Sequence, residues 1–331
     1  MKGDDLVLAA LREAEGFLSG QQLGGSLGMS RAAVWKHVAA LRNAGCRIES
    51  RPGLGYRLLQ SPELLQADDV TSRLTSSVFG RELLCLSSTG STNDELRRLA
   101  REGRAEGLAV VADEQTAGRG RLGRQWVSTA GVNLYLSLLL RPGVAPAEAP
   151  QLALLAAVAV ALGLENLGLE PEIKWPNDVL LKGAKVCGIL TEMEAEADRV
   201  DFVVVGVGVN LNSRASDFPP ELQDKATSVL MHSGAKVDRA AFLADLLSHF
   251  ELLYEQYTAG GFAAIRGQWE MRCVMIGRKI NVNAGGRIIG GICEGIDTDG
   301  ALLVKGRKHE PAQRVLAGDV TVLDGYMKAR D

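Results

Sequence analysis

Residues 114–126 read EQTAGRGRLGRQW, and the nature of this loop decides the fold. Gly118-x-Gly120-x-x-Gly123 has the spacing of the dinucleotide fingerprint, which needs a helix directly after the loop and an acidic residue about 20 positions on. Neither follows. Residues 115–147 contain no Asp or Glu, and the next element, Val132–Leu140, alternates as a strand, with Val132, Leu134, Leu136, Leu138 and Leu140 on one face. A Rossmann site is rejected. What remains is a glycine-rich loop carrying Arg119, Arg121 and Arg124. Glycines let backbone bend and approach a ligand closely. Three forked cations so close together repel one another unless anions lie among them. The plain alternative is a solvated basic loop. The favoured reading is a loop that closes over phosphate and carboxylate, ordering when the ligand arrives.

Working outward, Glu82–Leu86 and Leu108–Ala112 predict strands. Asn93–Arg101 predicts a helix, with Ser91 or Thr92 as N-cap and Asp94-Glu95 in its first turn. On the far side, Ala153–Leu167 predicts a helix and Glu172–Trp175, Val179–Leu181 and Val186–Thr191 short strands. Val200–Asn210 predicts a long apolar strand containing Gly206 and Gly208, and Ala240–Tyr257 an amphipathic helix. This is a mixed sheet flanked by helices, α+β in class. From Cys273 the pattern changes to short strands (Lys279–Val282, Arg287–Ile296, Ala301–Lys305, Val320–Leu323), with turn signals at Asn283–Gly286 and Asp297–Gly300, predicting a small β-barrel.

At the other end, Leu6, Val7, Ala10, Leu11 and Ala14 recur at helical spacing up to Gly16. Ser19 and Gln22 form a capping box for a short helix. Gly28-Met29 is a tight turn, and Ser30 and Gly45 are the N-cap and C′ glycine of the next helix. There Val34, Val38 and Leu41 share one face and Arg31, Trp35 and Arg42 another. Two helices across a glycine turn spell helix-turn-helix, although Gly24-Gly25 weakens the first of the two. Arg47–Ser50 and Tyr56–Leu59 flank Arg-Pro-Gly-Leu-Gly, a hairpin placed as a wing. Such modules also bind proteins; the position of the cations favours DNA. The candidates are Ser30, Arg31, Ala32, Trp35 and Lys36 on the reading helix and Arg51 and Arg57 on the wing, with the cations set for phosphates. Trp35 is either a base contact or a packing residue. One such module covers half a site, so a two-fold operator and a homodimer are expected. Gln60–Asp69 (QSPELLQADD) is a polar hinge.

The 331 residues suggest two to three domains. With 46% hydrophobic and 23% charged residues, wholesale disorder is excluded. The longest apolar stretch, Leu152–Leu164, has 13 residues against the ~20 of a membrane span, and reads as a buried helix. The N-terminus lacks a signal-peptide pattern. Five Cys (46, 85, 187, 273, 293) without C-x-x-C spacing argue against metal fingers and a disulfide scaffold, and for a reducing, cytoplasmic compartment. The four His (37, 232, 249, 309) show no ligand spacing. The net charge of −3 divides into +3 over residues 1–60 and −6 over the rest, a basic head on an acidic body.

In order along the chain, STNDEL (91–96), GRGRLGRQW (118–126), KWPNDVLL (174–181), KVCGILTE (185–192), VGVGVNL (205–211) and ATSV (226–229) resemble the motifs of the bifunctional biotin–protein ligase and biotin-operon repressor family, behind a matching helix-turn-helix. The resemblance implies three domains: a winged helix-turn-helix over 1–62, a biotin- and ATP-binding catalytic domain of class II synthetase-like type over 68–272, and an SH3-like C-terminal domain over 273–331. It implies activation of biotin by ATP to biotinoyl-5′-AMP, then transfer to a lysine of the biotin carboxyl carrier protein of acetyl-CoA carboxylase. It also implies repression of biotin-synthesis genes with the adenylate as corepressor.

By the same resemblance the catalytic residues are Lys185, Arg121 and Asp178. Two anions must meet in the reaction, so cations are needed to relieve their repulsion. The implied biotin-binding residues are Ser91, Thr92, Asn93, Gln115, Arg119, Gly120, Arg121, Lys185, Gly188, Gly206 and Gly208, with the glycines admitting the thiophane ring and tail. For ATP they are Arg119, Arg121, Arg124, Trp126, Lys174, Asn177 and Asn210, with Trp126 stacking on adenine. Mg2+ is expected as ATP's counterion; no carboxylate cluster marks a protein-held metal site. For Asp178 and Lys174 the plain alternatives are a capped turn and a surface lysine. The expected partners are the carrier protein, operator DNA and, with adenylate bound, a second copy; no membrane.

Three other readings are weighed. One is a biotin-sensing repressor without ligase activity, opposed by the presence of Arg121, Lys185 and Asp178. Another is a lipoate ligase of related fold, whose R-R-x-x-G-G-G type motif is not matched. The third is a ligase that binds no DNA. The chain departs from the family at the wing, Gly53-Leu54-Gly55, where a basic middle residue is common, and at Cys187, where small residues are usual.

Overall fold

The computed structural model describes residues 3–14, 16–43, 46–60, 64–196, 199–306, 310–323 and 325. They form two compact units, Met1–Leu64 and Leu65–Asp331. Gly45 and His309 lie outside the described residues.

The first unit runs α1 (Gly3–Glu13), α2 (Gly20–Leu27), α3 (Arg31–Asn43), β1 (Arg47–Arg51) and β2 (Gly55–Gln60). The capping box forms: Ser19 Oγ accepts from the Gln22 amide at 3.1 Å and Gln22 Oε1 from the Ser19 amide at 2.8 Å. Gly28 ends α2 in the left-handed region, φ +66°. Ser30 Oγ caps α3 through the Ala33 amide at 3.1 Å. Gly24 is required rather than merely tolerated, because a Cβ there would stand 2.5 Å from the Met29 carbonyl oxygen. Val34, Val38 and Leu41 join Val7, Leu11 and Leu23 in a small core. Arg42 then ties α3 to β1 through the Ile48 carbonyl at 2.7 Å. The antiparallel β1–β2 hairpin is the expected wing.

The second unit begins sooner than the proposed hinge allows. Residues 61–63 lie outside the described set, but Leu65 is already buried and α4 (Ala67–Thr71) is helical. Then follow β3 (Leu83–Leu86), α5 (Thr92–Arg101), β4 (Ala109–Ala112), β5 (Leu134–Leu140), α6 (Gln151–Asn166), β6 (Pro171–Lys174), β7 (Asp178–Leu181), β8 (Ala184–Glu196) and β9 (Arg199–Val209). The chain continues with α7 (Val229–Ser233), α8 (Arg239–Gly260), α9 (Ala263–Arg272), β10 (Lys279–Ala284), β11 (Arg287–Ile296), β12 (Leu302–Lys305), β13 (Gln313–Val315) and β14 (Asp319–Val322). Sequence patterning did not predict α4, α7, α9 or β13.

Seven strands form one mixed sheet in the order β3-β4-β5-β9-β8-β7-β6, parallel only between β3 and β4. Strand alternation assigns its two faces. Ala109, Val111, Leu136, Leu138, Val205 and Val207 pack with α6 and α8 in the main core. Val110, Leu139, Phe202 and Val204 pack with Leu96 and Leu99 of α5. Apolar α6 is longer than the stretch read from the sequence: with the turn before it, Pro146–Asn166 is long and apolar enough by length and composition to cross a membrane, but 78% of its most apolar window is buried inside the fold.

The last five strands form an antiparallel sheet, β13-β12-β11-β10-β14. Among the described residues no pairing joins β13 to β14, so the expected barrel is present only as this sheet. Its apolar side merges with the main core, and Trp175 Nε1 donates to the Gly300 carbonyl at 3.1 Å. Packing is therefore continuous across 272/273.

Candidate active site

Beyond the N-terminal end of α5, the row Phe202, Val204 on β9 continues as Gly206 and Gly208, with Gly188 of β8 directly opposite Gly208. Large side chains give way to none, and the sheet becomes the floor of a cavity of about 550 Å3. The cavity is lined by every residue implied above for biotin, ATP and catalysis. The expected room over the glycines is taken by the protein itself. A Cβ on Gly206 would stand 2.3 Å from Asn93 Oδ1, and one on Gly208 2.6 Å from the Trp126 indole. Trp126 thus lies on the glycine floor, where the implied ring and tail were placed.

A β-bulge aims Lys185. Gly188 pairs with Asp178, Cys187 with Val179, and then Lys185, not Val186, with Leu180. Strict alternation would turn Lys185 inward with Cys187 and Ile189; the extra residue turns it to the cavity. Its Nζ stands 2.6 Å from Asp178 Oδ1 and 5.4 Å from the Trp126 ring centroid. Its backbone is held by the 226–229 motif and the residue before it: the Lys185 amide donates to the Lys225 carbonyl at 2.8 Å and the Thr227 amide to the Lys185 carbonyl at 2.9 Å. Beside it, burial pushes the Cys187 thiol up, so Cys187 is an inert core residue. Asn177 Nδ2 donates to the Ile189 carbonyl at 2.7 Å and Asn210 Nδ2 to the Thr227 carbonyl at 3.0 Å.

The arginine loop is a hairpin. The Trp126 amide donates to the Gly118 carbonyl at 2.9 Å and the Gly120 amide to the Arg124 carbonyl at 2.7 Å. Leu122 (φ +57°) and Gly123 (φ +72°) form its left-handed tip. The anions expected among its cations are the chain's own carboxylates. Arg119 forks onto Asp94 at 2.5 and 2.6 Å, with Glu192 at 3.5 Å. The Arg119 guanidinium holds the Asp94 carboxyl below its usual range. Arg121 donates to Asn177 Oδ1 at 3.3 Å and the Gly318 carbonyl at 3.3 Å, with Asp319 at 3.5 Å. Arg124 pairs with Asp319.

The polar end is a pre-built network. Gln115 Oε1 accepts from the Thr92 amide at 2.9 Å and its hydroxyl at 3.0 Å. Ser137 Oγ donates to Asn93 Oδ1 at 2.6 Å, and Asn93 Nδ2 donates to Glu192 Oε2 at 2.7 Å. Ser91 is the N-cap of α5 but makes no capping bond through its side chain. Sequence reasoning missed Ser137, Phe218, Leu222, Lys225 and Asp319. Lys225 adjoins the 226–229 motif; Asp319 reaches the cavity only through the packing of β14. Among the described residues no group of three or more His, Cys, Asp or Glu is placed to hold a metal.

In the first unit Ser30, Arg31, Ala32, Trp35 and Lys36 are exposed on α3. Trp35, 65% exposed, is not a packing residue. The wing departs from expectation. Glu49 accepts from both Arg51 and Arg57, at 2.8 and 2.7 Å, and both guanidiniums lie over the Phe17 ring, at 5.1 and 4.9 Å. The two wing cations are therefore engaged within the unit. His37 pairs with Asp4 at 2.7 Å and His249 lies 3.4 Å from Asp245.

Residues 85–210 match the biotin/lipoate A/B protein ligase family, 5–57 an HTH domain and 275–322 the biotin protein ligase C-terminal domain. The chain is 41% identical over 317 residues to a bifunctional ligase/repressor BirA of Bacillus spizizenii, covering 96% of this chain and 97% of that one. It is 42% identical over 242 residues to a biotin–[acetyl-CoA-carboxylase] ligase of Paracoccus denitrificans, covering 70% and 99%. A solved biotin protein ligase from Aquifex aeolicus in complex with biotin and ATP superposes with a TM-score of 0.64 at 30% identity, covering 73% of this chain and 99% of that one.

Proposed function

The chain belongs to the biotin protein ligase family, and on that premise we propose that it activates biotin with ATP, transfers it to a carrier-protein lysine, and represses biotin-synthesis genes by binding DNA. The observation that carries the ligase reading is Lys185, turned by the bulge into a cavity floored by Gly188, Gly206 and Gly208. The biotin carboxylate attacks the α-phosphorus of ATP, the bond to pyrophosphate breaks, and biotinoyl-5′-AMP forms. The carrier's amine then attacks the acyl carbon and AMP leaves.

Lys185 is assigned to neutralise the meeting carboxylate and phosphate. Asp178, at 2.6 Å, keeps it aimed and faces the approach of the acceptor amine. Arg121 and Arg119 exchange their protein partners for ligand anions, and Arg124, Lys174, Asn177 and Asn210 complete the nucleotide side. Trp126 swings from the glycine floor to adenine. Ser91, Thr92, Asn93 and Gln115 meet the ureido ring. The flap then shelters the anhydride from water. Mg2+ enters with the ATP phosphates, for which it supplies countercharge.

We assign Arg31 and Lys36 to phosphates and Ser30, Ala32 and Trp35 to the groove, with Arg51 and Arg57 joining them once released from Glu49. A dimer that forms with adenylate bound, in a cytoplasmic setting, completes the reading. The test is intact-mass detection of a biotinylated lysine after mixing the chain, biotin, Mg-ATP and a carrier domain. Lys185→Ala should lower the rate by about 10²–10³-fold without changing the melting temperature; a wild-type rate in that variant removes the assignment.

A further inference from the structure

Where the flap, the segment carrying the arginine hairpin, leaves β4 and rejoins β5 lies a buried ion pair that the reaction leaves unused. Asp113 and Arg239 are 3% and 6% exposed, and Arg239 Nη1 stands 2.6 Å from Asp113 Oδ1. The same nitrogen donates to the Asn133 carbonyl at 3.1 Å. Asp113 precedes the flap and Asn133 follows it, so one guanidinium from the first turn of α8 joins the two roots from which the flap springs. The roots are cross-braced. The Gly131 amide donates to the Asp113 carbonyl at 3.0 Å. Asn133 Oδ1 accepts from the Leu211 amide at 3.0 Å and its Nδ2 donates to Ser213 Oγ at 2.8 Å. Tyr135 donates its hydroxyl to the Thr129 carbonyl at 3.0 Å. The Asp113 carboxylate also accepts from the Leu65 amide at 3.3 Å.

An ion pair this deep is a weak source of stability, because desolvating both charges largely cancels their attraction. What it supplies is a fixed separation and direction. We propose that Arg239 and Asp113 are positioning residues for ligation: they pin the roots of the flap so that its arginines close on a single geometry over the cavity. The proposal rests on the ligase reading for its kinetic part alone. A misplacement of about 1 Å in the closing groups is worth up to 10²-fold in rate, so a pair remote from the reacting atoms can still control them.

The test uses the full chain. The double variant Asp113→Asn, Arg239→Met removes both charges and leaves neither unpaired. It should melt within about 5 °C of wild type, raise KM for biotin and ATP about tenfold, and lose adenylate to water before transfer. It should also be cut faster by trypsin at Arg119, Arg121 and Arg124, with less protection from biotin plus ATP. Arg239→Lys, which keeps a charged donor, should restore most of each property. A folded double variant with wild-type KM, adenylate retention and flap cleavage overturns the proposal. Should the double variant fail to fold, Arg239→Gln, which keeps an amide donor opposite a carboxyl that burial already pushes up, carries the same readouts, with unchanged values again decisive against it. Wild-type protein that makes no adenylate would defeat the ligase reading, and the trypsin comparison would still decide the flap roots.

Discussion

At the scale of single residues, the cations of the site already have protein partners. Arg119 already forks onto Asp94, and that contact holds the Asp94 carboxyl below its usual range. A depressed carboxylate contributes above its unfolded pKa, about 3.9, and loses its contribution as pH falls through the lower folded value. The latch is thus constant through neutral pH. Hydrogen exchange of the flap amides, corrected for intrinsic rates, should be flat between about pH 5 and 8, and Asp94→Asn should raise it severalfold throughout. A step near the ordinary histidine pKa would assign control to another group. The identity of Lys185 was legible in the K-x-x-G-I-L-x-E pattern, but its direction was not. Nothing in AKVCGIL announces a bulge, and plain alternation would have buried the amine.

At the scale of elements, the hairpin at 118–126 was read as a loop because glycines and arginines carry no strand propensity. Its pairing comes from backbone bonds that close around the Leu122-Gly123 tip. Two successive left-handed residues favour Asn-Gly over Leu-Gly. Leu122→Asn should therefore stabilise the closed hairpin by about 0.5–1 kcal/mol and slow trypsin cleavage after Arg121 without added biotin or ATP. Equal or faster cleavage would mean that the tip does not limit opening. In the first unit the capping box, the glycine turn and the hairpin were all readable, since each has a local signature. The engagement of Arg51 and Arg57 was not, because Glu49 faces Arg57 only once the hairpin register is set and Phe17 lies far from both in sequence. On operator DNA, Arg31→Ala or Lys36→Ala should weaken binding about tenfold, and Arg57→Ala distinctly less, as measured by gel shift. The reverse order would place the wing first.

At the scale of the whole molecule, motif order revealed the family and most of the cavity, because those residues converge on two neighbouring strands and the loops beside them. The small strand β13 and helix α9 escaped, being short or weakly patterned. Asp319 escaped because only the docking of the last sheet brings it to the rim. A body whose core is shared across 272/273 places that sheet's carboxylate within reach of Arg121 and Arg124.

Since the flap's three guanidiniums all have carboxylates beside them, taking up a nucleotide swaps one counter-anion for another rather than neutralising bare cations. Added electrolyte screens both sides of such a swap alike. Nucleotide affinity should then change less than about threefold between roughly 50 and 300 mM salt, whereas DNA held by phosphate contacts should loosen by orders of magnitude over the same range. Rising ionic strength would separate the chain's two occupations, releasing it from the genome while it continues to make adenylate.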